Sequence, residues 1–155
     1  MRTRGRPLVL DTNCFVNAAA NDRQAAAYEA FCSWAAPRLF LSTVVGAELR
    51  AGLADIASRR ALESRVLAPY LRRDRIVNPS RSAWDALGTT LATLSETEGL
   101  SPRHVRRSFI FDILIARSCR EIGAVLVSGN TKDMNRIAKV FPFEFVQPYP
   151  PRGTI

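Results

Sequence analysis

The sequence predicts a single-domain α/β protein built on a central, mostly parallel sheet of about four or five strands, with helices on both faces. Three observations carry that expectation. Short apolar runs of strand length alternate with longer stretches of helical periodicity along the whole chain. The 155 residues are enough for one full α/β core and too few for two comfortable ones. No internal repeat, low-complexity tract or long linker divides them. The expected division is a basic N-terminal tail over 1–6, a domain over 7–147, and a Pro-rich, loosely ordered C-terminal tail over 148–155.

Leu8-Val9-Leu10 reads as a buried strand, and Asp11-Thr12-Asn13 supplies helix-capping side chains immediately after it. Asp22 to Ala36 is Ala-rich, with Tyr28, Phe31 and Trp34 or Ala35 on one helical stripe. Leu39-Phe40-Leu41 is a second strand, after which Ser42 or Thr43 caps a helix to about Leu53. Ser58 to Arg73 is a further amphipathic helix through Leu62, Val66 and Tyr70. Arg75-Ile76-Val77 is a weak strand ended by Asn78-Pro79-Ser80, and the helix that follows runs to Glu98, where Gly99 stops it. Pro102 opens the next helix, which ends near Gly123. Ala124 to Val127 is the clearest strand, Ser128-Gly129-Asn130 turns into a short helix, and Phe143 to Val146 closes the sheet.

The balance of charge is basic: 22 Lys and Arg against 14 Asp and Glu, a net +8, with Lys132 and Lys139 the only lysines. Such a surface favours a polyanion, and the planar guanidinium suits phosphate. Cys14, Cys32 and Cys119 are odd in number and far apart, with no C-x-x-C pair, which argues against a disulfide framework and a zinc site. No apolar stretch approaches the roughly 20 residues of a membrane span. The apolar segment after the basic start is only Pro7 to Leu10, so no export signal is read and a cytoplasmic protein is expected.

Against that background, three acids lie in core-like sequence. Asp112 has three large apolar residues on each side, in Phe109 to Ile115; Asp11 follows Pro-Leu-Val-Leu; Glu48 lies inside Val-Val-Gly-Ala-Glu-Leu. An isolated ionised carboxylate in a core carries a heavy desolvation cost, so such acids persist where they face a polar cavity or a cation. Asp11 and Asn130 each follow a strand and should emerge on one sheet edge, where open α/β sheets collect ligands. Two like charges at 4 Å repel by about 4 kcal/mol at an effective dielectric near 20, a sign that a divalent ion reverses. Oxygen-only ligands select Mg²⁺ or Mn²⁺, and a metal-activated water beside a basic rim is the logic of a nuclease.

The motifs Leu-Val-Leu-Asp-Thr-Asn (8–13), Ser-Thr-Val-Val-Gly-Ala-Glu-Leu-Arg-Ala-Gly-Leu (42–53), Phe-Asp-Ile-Leu-Ile-Ala (111–116) and Gly-Ala-Val-Leu-Val-Ser-Gly-Asn-Thr-Lys-Asp-Met (123–134) resemble, in order and spacing, the PIN-domain family, specifically VapC-type toxins of toxin–antitoxin pairs. The resemblance runs from about Leu8 to Val146 and implies a PIN-like fold. By it, Asp11, Glu48 and Asp112 match the family's acidic metal ligands, with Thr12, Asn13 and Ser128 supporting the site. Many relatives carry Asp where this chain has Asn130, which removes one negative charge; Asp133, one helical turn later, is expected to supply it, directly or through water. The resemblance further implies an Mg²⁺- or Mn²⁺-dependent endoribonuclease leaving a 5′-phosphate, a VapB-like antitoxin partner and a homodimer.

Each residue also has a plainer reading. Asp11, Asn130 and Asp133 could cap helices, Glu48 could lie on a solvated helix face, and Asp112 could pair with a buried Arg. Arg103, Arg106 and Arg107 are candidates for RNA phosphate contact, beside the reading of a solvated basic face that also covers His104. His104 is unattractive as a general base because no Ser or Cys partner arrangement is near it. A haloacid-dehalogenase-type phosphatase needs a second acid where Asn13 stands, and a receiver domain needs paired acids at the first strand. The serious rival is a non-catalytic PIN module that binds RNA or protein.

Overall fold

The computed structural model describes residues 5–155, so residues 1–4 of the expected N-terminal tail lie outside the described residues. Five strands form one sheet in the order β3-β2-β1-β4-β5, with every neighbouring pair parallel. They are β1 (Leu8–Leu10), β2 (Leu39–Ser42), β3 (Ile76–Val77), β4 (Val125–Val127) and β5 (Phe145–Val146). The central strand β1 pairs Leu8 with Leu39 on one side and with Val125 on the other. Its three residues are essentially inaccessible, the burial that a continuous Leu-Val-Leu run predicts for a strand covered on both faces.

The helices between the strands are α1 (Thr12–Ala20), α2 (Asp22–Ala35), α3 (Thr43–Ala51), α4 (Ile56–Ala61), α5 (Ala68–Arg72), α6 (Arg81–Glu98), α7 (Arg107–Ile122) and α8 (Thr131–Ala138). Their starts follow capping chemistry: Asp11, Ser42 and Ser80 each accept a hydrogen bond from the first turn of α1, α3 and α6. Gly99 (φ 68°) and Gly123 (φ 67°) end α6 and α7 in the left-handed region, where a side chain would be strained. Because the sheet is parallel, Asp11, Thr43 and Ser128 all leave their strands at the same edge. α7 packs against α3, α6, α8 and β4, and so carries Asp112 into the interior at that edge.

Three expectations are corrected. The helix expected over Ser58–Arg73 is α4 and α5 joined by a π-helical turn, Leu62–Leu67. Pro69 has no N–H to continue an α-helical ladder, and the wider turn accommodates it, with the Ala68 N–H donating to the Glu63 carbonyl. The Asp112 helix begins at Arg107 and not at Pro102. Ser101–His104 forms a turn, and Arg106 is extended (φ −65°, ψ 138°). Arg103 and His104 are exposed, so a first helical turn there would bury nothing to offset its nucleation cost.

The C-terminal tail is docked, not loose. Tyr149 lies against Phe31 (5.4 Å between ring centroids) and Tyr28 (6.1 Å), and its hydroxyl donates to the Cys14 carbonyl at 2.9 Å. Farther on, Arg38 Nη1 donates to the Ile155 carbonyl. Aromatic burial is what fixes a segment that composition alone reads as flexible.

Candidate active site

Asp11 is 3% exposed, and its carboxylate is fully engaged. Oδ1 accepts from the Thr12 backbone N–H at 2.8 Å; Oδ2 accepts from Ser128 Oγ at 2.6 Å and from Asn13 Nδ2 at 3.3 Å. The capping reading of Asp11 is therefore correct, and it leaves Oδ2 facing the turn after β4. Burial raises the Asp11 carboxyl above its usual range, while the Ser128 and Thr12 hydrogen bonds oppose the rise.

Ser128 is inaccessible and acts in both directions: its hydroxyl donates to Asp11 and accepts from the Asn130 N–H at 3.1 Å. Asn13 closes the same junction, its Oδ1 accepting from the Gly129 N–H at 3.2 Å. The turns after β1 and β4 are thereby locked to each other through side chains that the sequence identified as supporting residues.

Glu48 reaches the junction from α3. Half-buried, it accepts from Thr12 Oγ1 at 2.7 Å, so it does not lie on a freely solvated face. Its carboxyl is raised by burial, lowered by Thr12, raised by Asp11 and lowered by Arg107. Asp112 is 6% exposed, and no Arg among the described residues pairs with it; its hydrogen-bond donor is the Asn130 amide, 3.0 Å from Oδ2. Burial first, then the charges of Asp11, Asp133 and Glu48, push the Asp112 carboxyl up to about 8.

Asn130 occupies the N-cap position of α8 yet makes no side-chain cap. Its amide nitrogen donates instead to Asp112 Oδ2 and to Asp133 Oδ2, each at 3.0 Å. One NH₂ group thus sits between two carboxylates that would otherwise repel. Asp133, 6% exposed, takes a second donor on the same oxygen, Arg106 Nη2 at 3.0 Å.

The structure therefore brings Asp11, Thr12, Asn13, Glu48, Asp112, Ser128, Asn130 and Asp133 into one hydrogen-bonded and electrostatically coupled cluster at the sheet edge. Of the three candidate arginines, Arg106 joins this cluster through Asp133 and Arg107 acts on Glu48 by charge. Arg103 is exposed, and no side-chain hydrogen bond ties it to the acids. His104 does have a serine partner, Ser101 Oγ at 3.0 Å from Nδ1, a contact the sequence reading missed. That pair is an exposed turn contact with no carboxylate attached. The pairing of Arg106 with an acid was also missed; its only sequence signal is its place just ahead of the helix that carries Asp112.

The donor set is all oxygen, buried and mutually repulsive, which fits a hard divalent cation. As the side chains stand, no group of three His, Cys, Asp or Glu among the described residues is arranged to hold an ion. Neutral donors and Arg106 engage Asp11 Oδ1 and Oδ2, Glu48 Oε1, Asp112 Oδ2 and Asp133 Oδ2. No described helix is long and apolar enough to cross a membrane.

Among solved structures, the chain is similar to one in VapBC2 from Rickettsia felis, bound to a DNA fragment from its promoter. Identity is 26%, with 90% of this chain and 97% of that chain covered, at a TM-score of 0.61. It is also similar to one in DNA-bound VapBC from Salmonella typhimurium, at 20% identity, 92% and 98% coverage and a TM-score of 0.67. FitAcB from Neisseria gonorrhoeae matches at 18% identity, 89% and 95% coverage and a TM-score of 0.63. At those two lower identities the likeness speaks to fold alone. A search of curated proteins finds no significant match. A family model, the PIN domain, matches residues 8–140, a span that includes every acid of the cluster. The chain belongs to the PIN domain family.

Proposed function

We propose that this chain is a divalent-metal-dependent endoribonuclease and the toxin of a toxin–antitoxin pair. The observation that carries the reading is the set of four acids from four separate segments, in which burial first and then the charges of Asp11, Asp133 and Glu48 raise Asp112 to about 8. A buried like-charge cluster of that kind is stabilised by a cation and is otherwise a liability. The likeness to a chain of VapBC2 from Rickettsia felis supports a VapB-like antitoxin partner, and the basic surface supports RNA as substrate. A homodimer belongs to the same reading.

Asp11, Glu48, Asp112 and Asp133 are the side chains that would hold Mg²⁺ or Mn²⁺. When bound, such an ion supplies an activated water and neutralises charge at phosphorus. Ser128, Thr12 and Asn13 keep the Asp11 and Glu48 carboxylates oriented by donating to them or bracing their turn. Asp112, with its raised carboxyl, holds a proton near neutrality and would release it on taking up an ion. Asn130 spaces Asp112 from Asp133 without adding a fifth acid to the cluster. Arg103 and Arg107, both exposed, are the side chains that would attract backbone phosphates before chemistry. The net reaction adds water across a phosphorus–O3′ bond, with the hydroxyl joining the 5′-phosphate and the proton the departing 3′-oxygen.

The test is cleavage of single-stranded RNA by the purified protein with Mg²⁺, with EDTA, and with the Asp11→Asn variant. Expected is cleavage with Mg²⁺, none with EDTA, and a loss of about a hundredfold or more, close to 3 kcal/mol of barrier, for Asp11→Asn. A folded protein that binds RNA and never cuts it, with or without Mg²⁺, would instead be a non-catalytic binding module.

A further inference from the structure

We propose that Arg106 is a built-in counter-cation that competes with the divalent ion for Asp133, so that the chain weakens its own hold on the ion. The inference rests on the metal-dependent reading above and adds to it the residue that sets ion affinity.

The geometry is asymmetric. Asp133 is buried, its side chain 8% exposed, whereas the Arg106 side chain is 69% exposed and reaches in from the rim to place Nη2 3.0 Å from Oδ2. This is the one side-chain hydrogen bond Arg106 makes among the described residues. Its backbone is held separately, the Arg106 carbonyl accepting from the Phe109 and Ile110 N–H groups at the start of α7. The guanidinium can therefore swing out without disturbing the helix.

The same Asp133 oxygen also accepts from Asn130, whose amide donates onward to Asp112. Arg106, Asp133, Asn130 and Asp112 thus form one continuous chain of contacts. A positive charge at its outer end lowers the negative potential felt at every acid in it. With Asn130 uncharged, Arg106 on Asp133 and the charge of Arg107 acting on Glu48, Asp11 and Asp112 are the acids left without an arginine among the described residues. An incoming dication must either displace Arg106 from Asp133 or bind beside an unscreened positive charge. Both routes reduce affinity.

The experiment is Mn²⁺ binding to the intact protein without RNA, read by titration calorimetry and by the loss of free Mn²⁺ signal in electron paramagnetic resonance. Arg106→Gln is compared with wild type and with the charge-keeping Arg106→Lys, and circular dichroism confirms that each variant is folded. Arg106→Gln is expected to bind Mn²⁺ about threefold to tenfold more tightly, the size set by removing one partly screened charge near the ion. Arg106→Lys should remain near wild type, and raising KCl should shrink the difference. Unchanged or weaker binding by Arg106→Gln, with wild type still binding, overturns the counter-cation and makes Arg106 a support for Asp133. Absence of Mn²⁺ binding by wild type and Arg106→Gln alike is the separate outcome in which the metal-dependent reading itself fails.

Discussion

Ser128 and Asp11 are separated by 117 residues in the chain, yet the Ser128 hydroxyl donates to Asp11 Oδ2 at 2.6 Å with both groups buried. The same hydroxyl accepts the Asn130 N–H, so it is the hinge between the turns after β1 and β4. Ser128→Ala leaves a buried carboxylate oxygen short of a donor and a backbone N–H short of an acceptor. It should lower unfolding stability by about 1–3 kcal/mol. Urea unfolding measures this, and Ser128→Thr, which keeps the hydroxyl, should recover most of the loss. A change below about 0.5 kcal/mol for Ser128→Ala would remove Ser128 from that hinge role.

The raised Asp112 carboxyl makes a signed prediction about pH. Its folded value is about 8, against an ordinary 3.8. Between these values the folded chain holds a proton that the unfolded chain releases, so metal-free stability falls as pH rises from about 4 to about 8. Asp112→Asn removes that titration and should flatten the slope. It should also raise the melting temperature in EDTA at pH 8 by a few degrees, roughly the shift of 1 kcal/mol. Thermal melts across that range decide the matter; a wild-type stability that increases from pH 5 to pH 8 would contradict it.

Ion binding must displace the same proton. Mn²⁺ affinity should therefore increase with pH up to about 8 and level off beyond, with proton release accompanying binding. Calorimetry in buffers of different ionisation enthalpy counts the protons directly. A pH-independent affinity with no proton released would mean that Asp112 is already ionised when the ion arrives.

Asn130→Asp places a fifth carboxylate in the cluster, between Asp112 and Asp133, where the amide now donates to both. Without metal, the substitution should destabilise the fold through like-charge repulsion and two lost hydrogen bonds, by about 1–3 kcal/mol. With Mn²⁺ the sign should reverse, because the added charge strengthens the ion's hold. Melting curves in EDTA and in saturating Mn²⁺ should cross over between the variant and wild type. Equal destabilisation in both conditions would make Asn130 a purely structural residue.

What the sequence made legible follows from locality. The Leu8–Leu10 and Val125–Val127 strands, the Ser42 cap and the glycine stops at Gly99 and Gly123 are each specified within a few residues, and all are observed. Asp11, Glu48 and Asp112 announced themselves because an acid inside an apolar run conflicts with its surroundings, and the conflict marks a site. The direction of Asn130's side chain was not legible, since an Asn at a helix start has an ordinary capping role that here it does not take. Arg106's link to Asp133 and Tyr149's grip on the Cys14 carbonyl span 27 and 135 residues, and nothing local encodes either. The Pro102 helix start failed for a related reason, because a favourable first residue cannot hold a turn that buries no side chain.

The central position of β1 bears on synthesis. Made before the other four strands described, β1 completes its hydrogen bonding only when β4 arrives. At roughly 5–20 residues per second, about 6–23 seconds separate the making of Asp11 from that of Ser128. A nascent chain halted before β4 carries Asp11, Glu48 and Asp112 without the strand and turn that gather them. The acid cluster therefore forms only after β4 and the turn behind it have been made.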